Sequence, residues 1–111
     1  MPDVPELSPT EFRERWPGPL ENAPVTLLDV REPAELALAA VKGALHVPMG
    51  QVPSRLHELD ASKPIVVMCH AGGRSRRVAE FLRQQGFENV FNLRGGIDAW
   101  SLEVDPRVPR Y

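Results

Sequence analysis

The chain carries a single thiol, Cys69, in 111 residues. One cysteine excludes an intramolecular disulfide and any paired Cys-x-x-Cys redox or metal motif. His46, His57 and His70 do not fall at a metal-ligand spacing and have no second thiol beside them, so no metal and no cofactor is expected. A large excess of one charge sign is missing too. Thirteen Lys and Arg stand against 15 Asp and Glu, a net charge of −2, which supplies no basic field for nucleic acid. No apolar run is long enough to cross a bilayer. The opening residues, Met1-Pro-Asp-Val-Pro-Glu6, are polar and proline-rich, unlike a signal peptide. These absences lead to the expectation of a soluble cytoplasmic protein with no nucleic-acid or membrane partner. The length suits one domain, residues 1–111, that builds its core without crosslinks, and a monomer is the simplest form.

Proline is plentiful, with 12 residues gathered at the two ends and at element boundaries. Residues 1–7 and 105–111 read as tails that drape over the domain or fray. Ser8-Pro9-Thr10-Glu11 is a capping box with proline at the first helical position. It opens a helix that runs to about Trp16, before Pro17-Gly18-Pro19. Val25–Val30 is an apolar strand, Pro33–Ala40 a short helix, Ala44–Val47 a brief strand, and residues 50–59 another short helix. Ile65-Val-Val-Met68 shows no polar alternation and reads as a strand covered on both faces. Ser75–Gln85 is a helix with Gly86 at its C′ position. Val90–Leu93 is a further strand, and Gly95-Gly96 leads into a last helix through Trp100. Strands alternating with helices over short connections predict an α/β layer with a parallel sheet. In such sheets functional groups gather beyond the carboxyl ends of the strands. Asp29–Arg31, Cys69 and Arg94-Gly95 should therefore share one rim.

The segment from Ile65 to Val78 carries the chemistry. Cys69 ends the apolar strand, and Ala71-Gly72-Gly73-Arg74-Ser75 turns into the next helix. A thiol there faces backbone N–H groups and the positive end of a helix dipole, with Arg74 adding a charge. Such surroundings bring a cysteine pKa from about 8.5 into the range 3.5–7.5. The competing reading is a small buried hydrophobe. A strand that merely ended would need only one turn glycine, so Gly72-Gly73 before Arg74-Ser75 favours the reactive thiol.

Three blocks together resemble the rhodanese family: Leu28-Asp-Val-Arg-Glu-Pro-Ala-Glu35, Val67-Met-Cys-His-Ala-Gly-Gly-Arg-Ser75 and Asn92-Leu-Arg-Gly-Gly-Ile-Asp-Ala-Trp100. The resemblance covers about residues 8–102 and departs at Ala39-Ala40-Val41, where the family usually has Gly-His-Ile. It implies a rhodanese-like three-layer α/β fold, a central five-stranded parallel sheet flanked by helices. It also implies that Cys69 carries a sulfane sulfur as a persulfide. The family's active-site loop maps onto Cys69, His70, Ala71, Gly72, Gly73 and Arg74, with its amides turned inward.

The expected reaction is a sulfur transfer in two displacements, from a small anionic donor such as thiosulfate to Cys69, then to cyanide, a thiol or an acceptor protein. The amides of residues 70–75, Ser75 included, would keep the anionic sulfur ionised and reachable from solvent, and Arg74 would attract the donor. His70 is expected to line the loop or touch the anion, not to move a proton. Gly72 and Gly73 would let amides approach and adopt positive φ, although plain turn residues fit as well. Asp29, Arg31 and Glu32 form the supporting group, with Asp29 or Glu32 pairing with a loop arginine or amide; a surface ion pair of little worth is the alternative. Arg76 and Arg77 should be a solvated face. Arg94-Gly95-Gly96 and Trp100 read as structural.

Two other functions compete. A cysteine-dependent phosphatase also uses a thiolate in an amide cradle closed by arginine. Here four residues, His70 to Gly73, separate Cys69 from Arg74, one fewer than a phosphate cradle uses, which suits a smaller ring around one sulfur. A non-catalytic binding module is the third reading; such domains usually lack the cysteine.

Overall fold

Ile65–Met68 is buried at every position and forms β4, the middle strand of the sheet. The computed structural model describes residues 4–111. Within it, β1 (Glu6–Leu7), α1 (Pro9–Arg15), β2 (Thr26–Asp29), α2 (Pro33–Leu36), β3 (Leu45–His46), β4, α3 (Gly73–Gln84), β5 (Val90–Leu93) and α4 (Gly96–Glu103) follow in order. The strands lie in the order β1-β5-β4-β2-β3 and every pairing is parallel. This is the α/β architecture anticipated from the alternation of elements.

Alternation along β4 sends its side chains to two cores. Val66 and Met68 pack with Phe12, Ile97 and Trp100 beneath α1 and α4. Ile65, Val67 and Cys69 pack with Val78, Ala79 and Leu82 beneath α3. The strand register therefore assigns Cys69 to the α3 side. α1 begins as expected, with Ser8 accepting from the Glu11 amide while the Glu11 carboxylate accepts from the Ser8 amide. α3 ends in a Schellman arrangement: Gly86 donates to the Arg83 carbonyl and Phe87 to that of Leu82.

Several boundaries differ from the sequence expectations. The N-terminal segment is not a tail from Val4 onward; residues 1–3 lie outside the described residues. Val4 and Leu7 are buried, and Glu6–Leu7 pair with Asn92 and Leu93. Two residues are too few for strand periodicity to show, and the partner strand lies at the other end of the chain. The helix expected over 50–59 is two 3₁₀ segments, Met49–Gln51 and Pro53–Glu58. Pro53 lacks the N–H that an α-helix needs there, and Arg55 is non-helical. The helix from Pro33 stops at Leu36, and the Arg31 guanidinium takes the Glu35 carbonyl within it and the Ala39 carbonyl beyond it. The Ala39-Ala40-Val41 departure thus contributes a carbonyl and two buried side chains, Ala39 and Val41. Helix α3 starts two residues before Ser75 and ends at Gln84. The C-terminal segment drapes in an ordered way: Val108 is buried and its carbonyl accepts from the Ser101 hydroxyl at 2.6 Å.

Candidate active site

The carboxyl ends of β2, β4 and β5 meet on one edge of the sheet, where chain order predicted a shared rim. Cys69 follows β4 directly, and its sulfur sits at the start of α3. The Gly72 amide donates to Sγ at 3.0 Å, and the Ser75 hydroxyl oxygen lies 3.3 Å from Sγ. Burial pushes the thiol up, but the Ser75 hydroxyl and the Ser75, Gly72 and Ala71 amides outweigh it and hold the pKa below the ordinary cysteine value. Four of the loop residues expected to surround the sulfur (Cys69, Ala71, Gly72 and Ser75) are thus brought together. A thiolate in this position is a nucleophile held by main-chain donors.

Access differs from expectation. An open, solvent-reachable sulfur was anticipated, whereas Cys69 is only 1% exposed. The sheet edge and the start of α3 enclose it, where it packs with Val78, Ala79 and Leu82. The two glycines also part ways. Gly72 has φ +116°, the left-handed geometry that turns its amide toward the sulfur. Gly73 has no positive φ and takes the first helical position, with open space where a side chain would go.

The loop is held from behind by α4. Its amides at Ile97 and Asp98 donate to the Cys69 and His70 carbonyls at 2.9 and 3.2 Å. Gly96, at φ +58°, passes so close that a Cβ would stand 2.4 Å from both carbonyl oxygens. Gly96 is therefore structural, as expected, but it is structural for the active-site loop.

Electrostatic pairing at the rim departs from the expected assignment. Neither Asp29 nor Glu32 reaches a loop arginine. Glu35 does: its carboxylate takes Arg74 Nη1 and Nη2 at 2.6 and 2.9 Å. The Arg74 guanidinium holds Glu35 well below the usual carboxylate range against the opposing effect of burial, with the Tyr111 hydroxyl assisting. Glu32 is exposed, and its amide donates to Glu35 at 3.0 Å. Asp29 instead grips Arg31 in a buried fork at 2.7 and 2.9 Å. The remaining Arg31 donors go to the Ala39 and Glu35 carbonyls and the Tyr111 hydroxyl. Asp29 and Arg31 are therefore interior scaffolding of the rim, not a weak surface pair.

Tyr111 joins these parts. Its hydroxyl donates to Glu35 at 2.6 Å and accepts from Arg31 at 3.1 Å. Its ring stacks on His70, with centroids 4.1 Å apart and planes 11° from parallel. Arg110 beside it is paired with Asp98 of α4 at 2.8 Å. His70 is therefore held by stacking against Tyr111. Arg76 and Arg77 are exposed, and Arg76 lies 3.6 Å from Glu80.

Sequence reasoning passed over Glu35, Asn92 and Tyr111. Asn92 carried a signal, being a polar residue in an otherwise apolar strand; it is 1% exposed and lies beside Ser75. Glu35 closed the first recognised block without an assigned role. Tyr111 carried no local signal. Among the described residues no cluster of His, Cys, Asp and Glu could hold a metal ion, and no helix is long and apolar enough to cross a membrane.

Comparison with known proteins places this geometry. A rhodanese-like domain model matches residues 13–103. A sulfurtransferase of Allochromatium vinosum is 43% identical over 84 residues, covering 76% of this chain and 78% of that protein. Thiosulfate sulfurtransferase GlpE of Actinobacillus pleuropneumoniae is 36% identical over 106 residues, covering 96% of this chain and 94% of that protein. A chloroplastic rhodanese-like/PpiC domain-containing protein of Arabidopsis thaliana is 38% identical, but the chain spans only 38% of its length. The solved rhodanese-like domain protein of Staphylococcus aureus superposes with a TM-score of 0.79 at 27% identity, covering 97% of this chain and 99% of that one. A family match across most of the chain, joined to relatives aligned over most of their own length, establishes that this protein belongs to the rhodanese-like domain family.

Proposed function

We propose that this protein is a sulfurtransferase in which Cys69 carries the sulfur. The observation that carries the reading is the Gly72 amide at 3.0 Å from Sγ, inside a loop whose amides favour the thiolate. In the first half-reaction the Cys69 thiolate attacks the outer sulfur of a donor such as thiosulfate. A new S–S bond forms, the donor's S–S bond breaks, and sulfite leaves with the electron pair. In the second, a thiophilic acceptor (cyanide, a thiol or a protein) takes the outer sulfur and Cys69 returns as thiolate. No proton transfer is needed once the thiol is ionised, and no redox partner enters the balance. The same amides serve the persulfide anion, so thiolate and persulfide are held by one set of donors.

The relatives named sulfurtransferase and thiosulfate sulfurtransferase support this reading. Arg74 is the donor-attracting charge in it, tempered by its pairing with Glu35: an anionic donor competes with that carboxylate for the guanidinium. A reducing compartment such as the cytoplasm suits an unpaired reactive thiol.

The test is direct. Purified protein should release sulfite from thiosulfate in the presence of cyanide, and its intact mass should rise by one sulfur after thiosulfate alone. Cys69→Ser should lose both while keeping the fold. Phosphate release from an aryl phosphate without sulfite production would replace this reading with a phosphatase. A folded protein with neither activity and no mass gain would make it a binding module.

A further inference from the structure

The Ser75 hydroxyl stands among three acceptors and has one hydrogen to give. Its oxygen lies 2.5 Å from Asn92 Oδ1, 3.2 Å from the Gly72 carbonyl and 3.3 Å from Cys69 Sγ. The Asn92 amide is not free to turn. Its other end donates to the Glu6 carboxylate at 2.9 Å and to the Gly72 carbonyl at 3.1 Å. Both of those groups only accept, so that end must be the nitrogen and the oxygen must face Ser75. Two oxygens cannot stand 2.5 Å apart without a hydrogen between them. Asn92 therefore competes with Cys69 for the Ser75 hydrogen and, at the shorter distance, holds the larger share of it.

The geometry points to Asn92 as a positioning residue: it holds the hydrogen of Ser75 and thereby sets how readily Cys69 ionises. This rests on the reading that Cys69 works as a thiolate. With Asn92 in place, the Ser75 hydroxyl lends the sulfur only part of the help it could give, and the main-chain amides supply the rest. Removing the acceptor frees the hydroxyl to turn toward the negative sulfur, the most strongly attracting of its remaining acceptors.

Ionisation can be followed by the ultraviolet absorbance of the thiolate against pH, with Cys69→Ser as the blank. The variants are Asn92→Leu, which is similar in shape and has no polar atoms, Ser75→Ala, and the pair combined. Asn92→Leu should lower the Cys69 midpoint by about one pH unit, a tenfold change in ionisation. Ser75→Ala alone should move it by less than about half a unit. In the Asn92→Leu background, Ser75→Ala should raise the midpoint by about the unit that was gained. That non-additivity is the signature of a shared hydrogen, and a residue that only supports the fold would not produce it. Other titratable and charged groups flank the loop from α3 (Arg74), α2 (Glu35), β2 (Asp29) and the turn after it (Arg31), β1 (Glu6), α4 (Asp98) and the C-terminal segment (Tyr111), together with His70 and Arg94. None of them is replaced in any variant.

An unchanged or raised midpoint in folded Asn92→Leu overturns the proposal, as does a rise of a unit or more in Ser75→Ala alone. Should circular dichroism show Asn92→Leu unfolded, the Ser75→Ala result decides by itself. Sulfur transfer is measured separately. Shifted midpoints without transfer would remove the sulfurtransferase reading and leave Asn92 in this role, and transfer with fixed midpoints would do the reverse.

Discussion

At the scale of single residues, the rim shows how a charge is moderated by its partner. Arg74 belongs to the loop that follows Cys69, yet both of its terminal nitrogens are engaged by Glu35. An incoming anion must share it. Charge-assisted contacts of this kind are worth about 1.5–3 kcal/mol. Arg74→Ala should therefore raise the KM for thiosulfate or lower kcat by roughly tenfold, measured by sulfite release. Arg77→Ala, which removes an exposed charge, should stay within about twofold. Equal losses in the two variants would remove Arg74 from its proposed place. Both arginines lie in one basic run, Arg74-Ser-Arg-Arg77, and the sequence did separate them: Arg74 was given the chemistry and Arg77 the solvated face. It did not single out Glu35 as the carboxylate that meets Arg74. Asp29 and Glu32 were the nearer candidates in the first block, but Asp29 is spent on Arg31 inside the protein, and one turn of α2 brings Glu35 to the loop.

At the scale of elements, the active-site loop is defined by two helix starts. α3 supplies amides in front of the sulfur, and α4 fastens the loop's carbonyls from behind. Two glycine substitutions separate these contributions. Gly96→Ala would drive a methyl group into the Cys69 and His70 carbonyls. It should cost roughly 2–3 kcal/mol of stability and reduce sulfur transfer in whatever protein remains folded. Gly73→Ala meets open space in a helical position, and alanine is favoured over glycine in a helix by about 0.5–1 kcal/mol. It should leave the melting temperature unchanged or slightly higher. Thermal unfolding of the two variants beside the parent checks both expectations, and a destabilised Gly73→Ala would mean that this glycine has a role the backbone does not show. Strand–helix alternation was legible along most of the chain because apolar runs and caps are local signals. The two-residue β1 was not, because its only evidence is a partner strand at the far end of the sequence.

At the scale of the whole molecule, groups from both ends of the chain converge on one edge. Glu6 orients Asn92 from β1, and Tyr111 bridges His70, Glu35 and Arg31 from the C-terminal segment. The Glu35–Arg74–Tyr111 group couples this convergence to acid stability. Glu35 has a folded-state pKa below its ordinary value of 4.5. A depressed carboxylate stabilises the fold above its unfolded pKa, and that contribution fades as pH falls below it toward the folded value. Melting temperature should therefore fall as the pH drops below about 4.5, and Glu35→Gln should flatten that part of the profile. A profile of equal slope in the variant would show that other carboxylates govern acid unfolding.

The sequence by itself determined the parallel α/β layer, the family and the placing of Cys69 where a strand meets a glycine turn. Each of these depends on periodicity, capping or spacing within a short window of chain. Only the tertiary structure decided that the thiol is enclosed, that Glu35 and not Asp29 or Glu32 meets Arg74, and that Asn92 and Tyr111 belong to the site. Those outcomes depend on which side chains a folded sheet edge brings within hydrogen-bond reach, and residues separated by most of the chain leave no trace of such meetings in their local order.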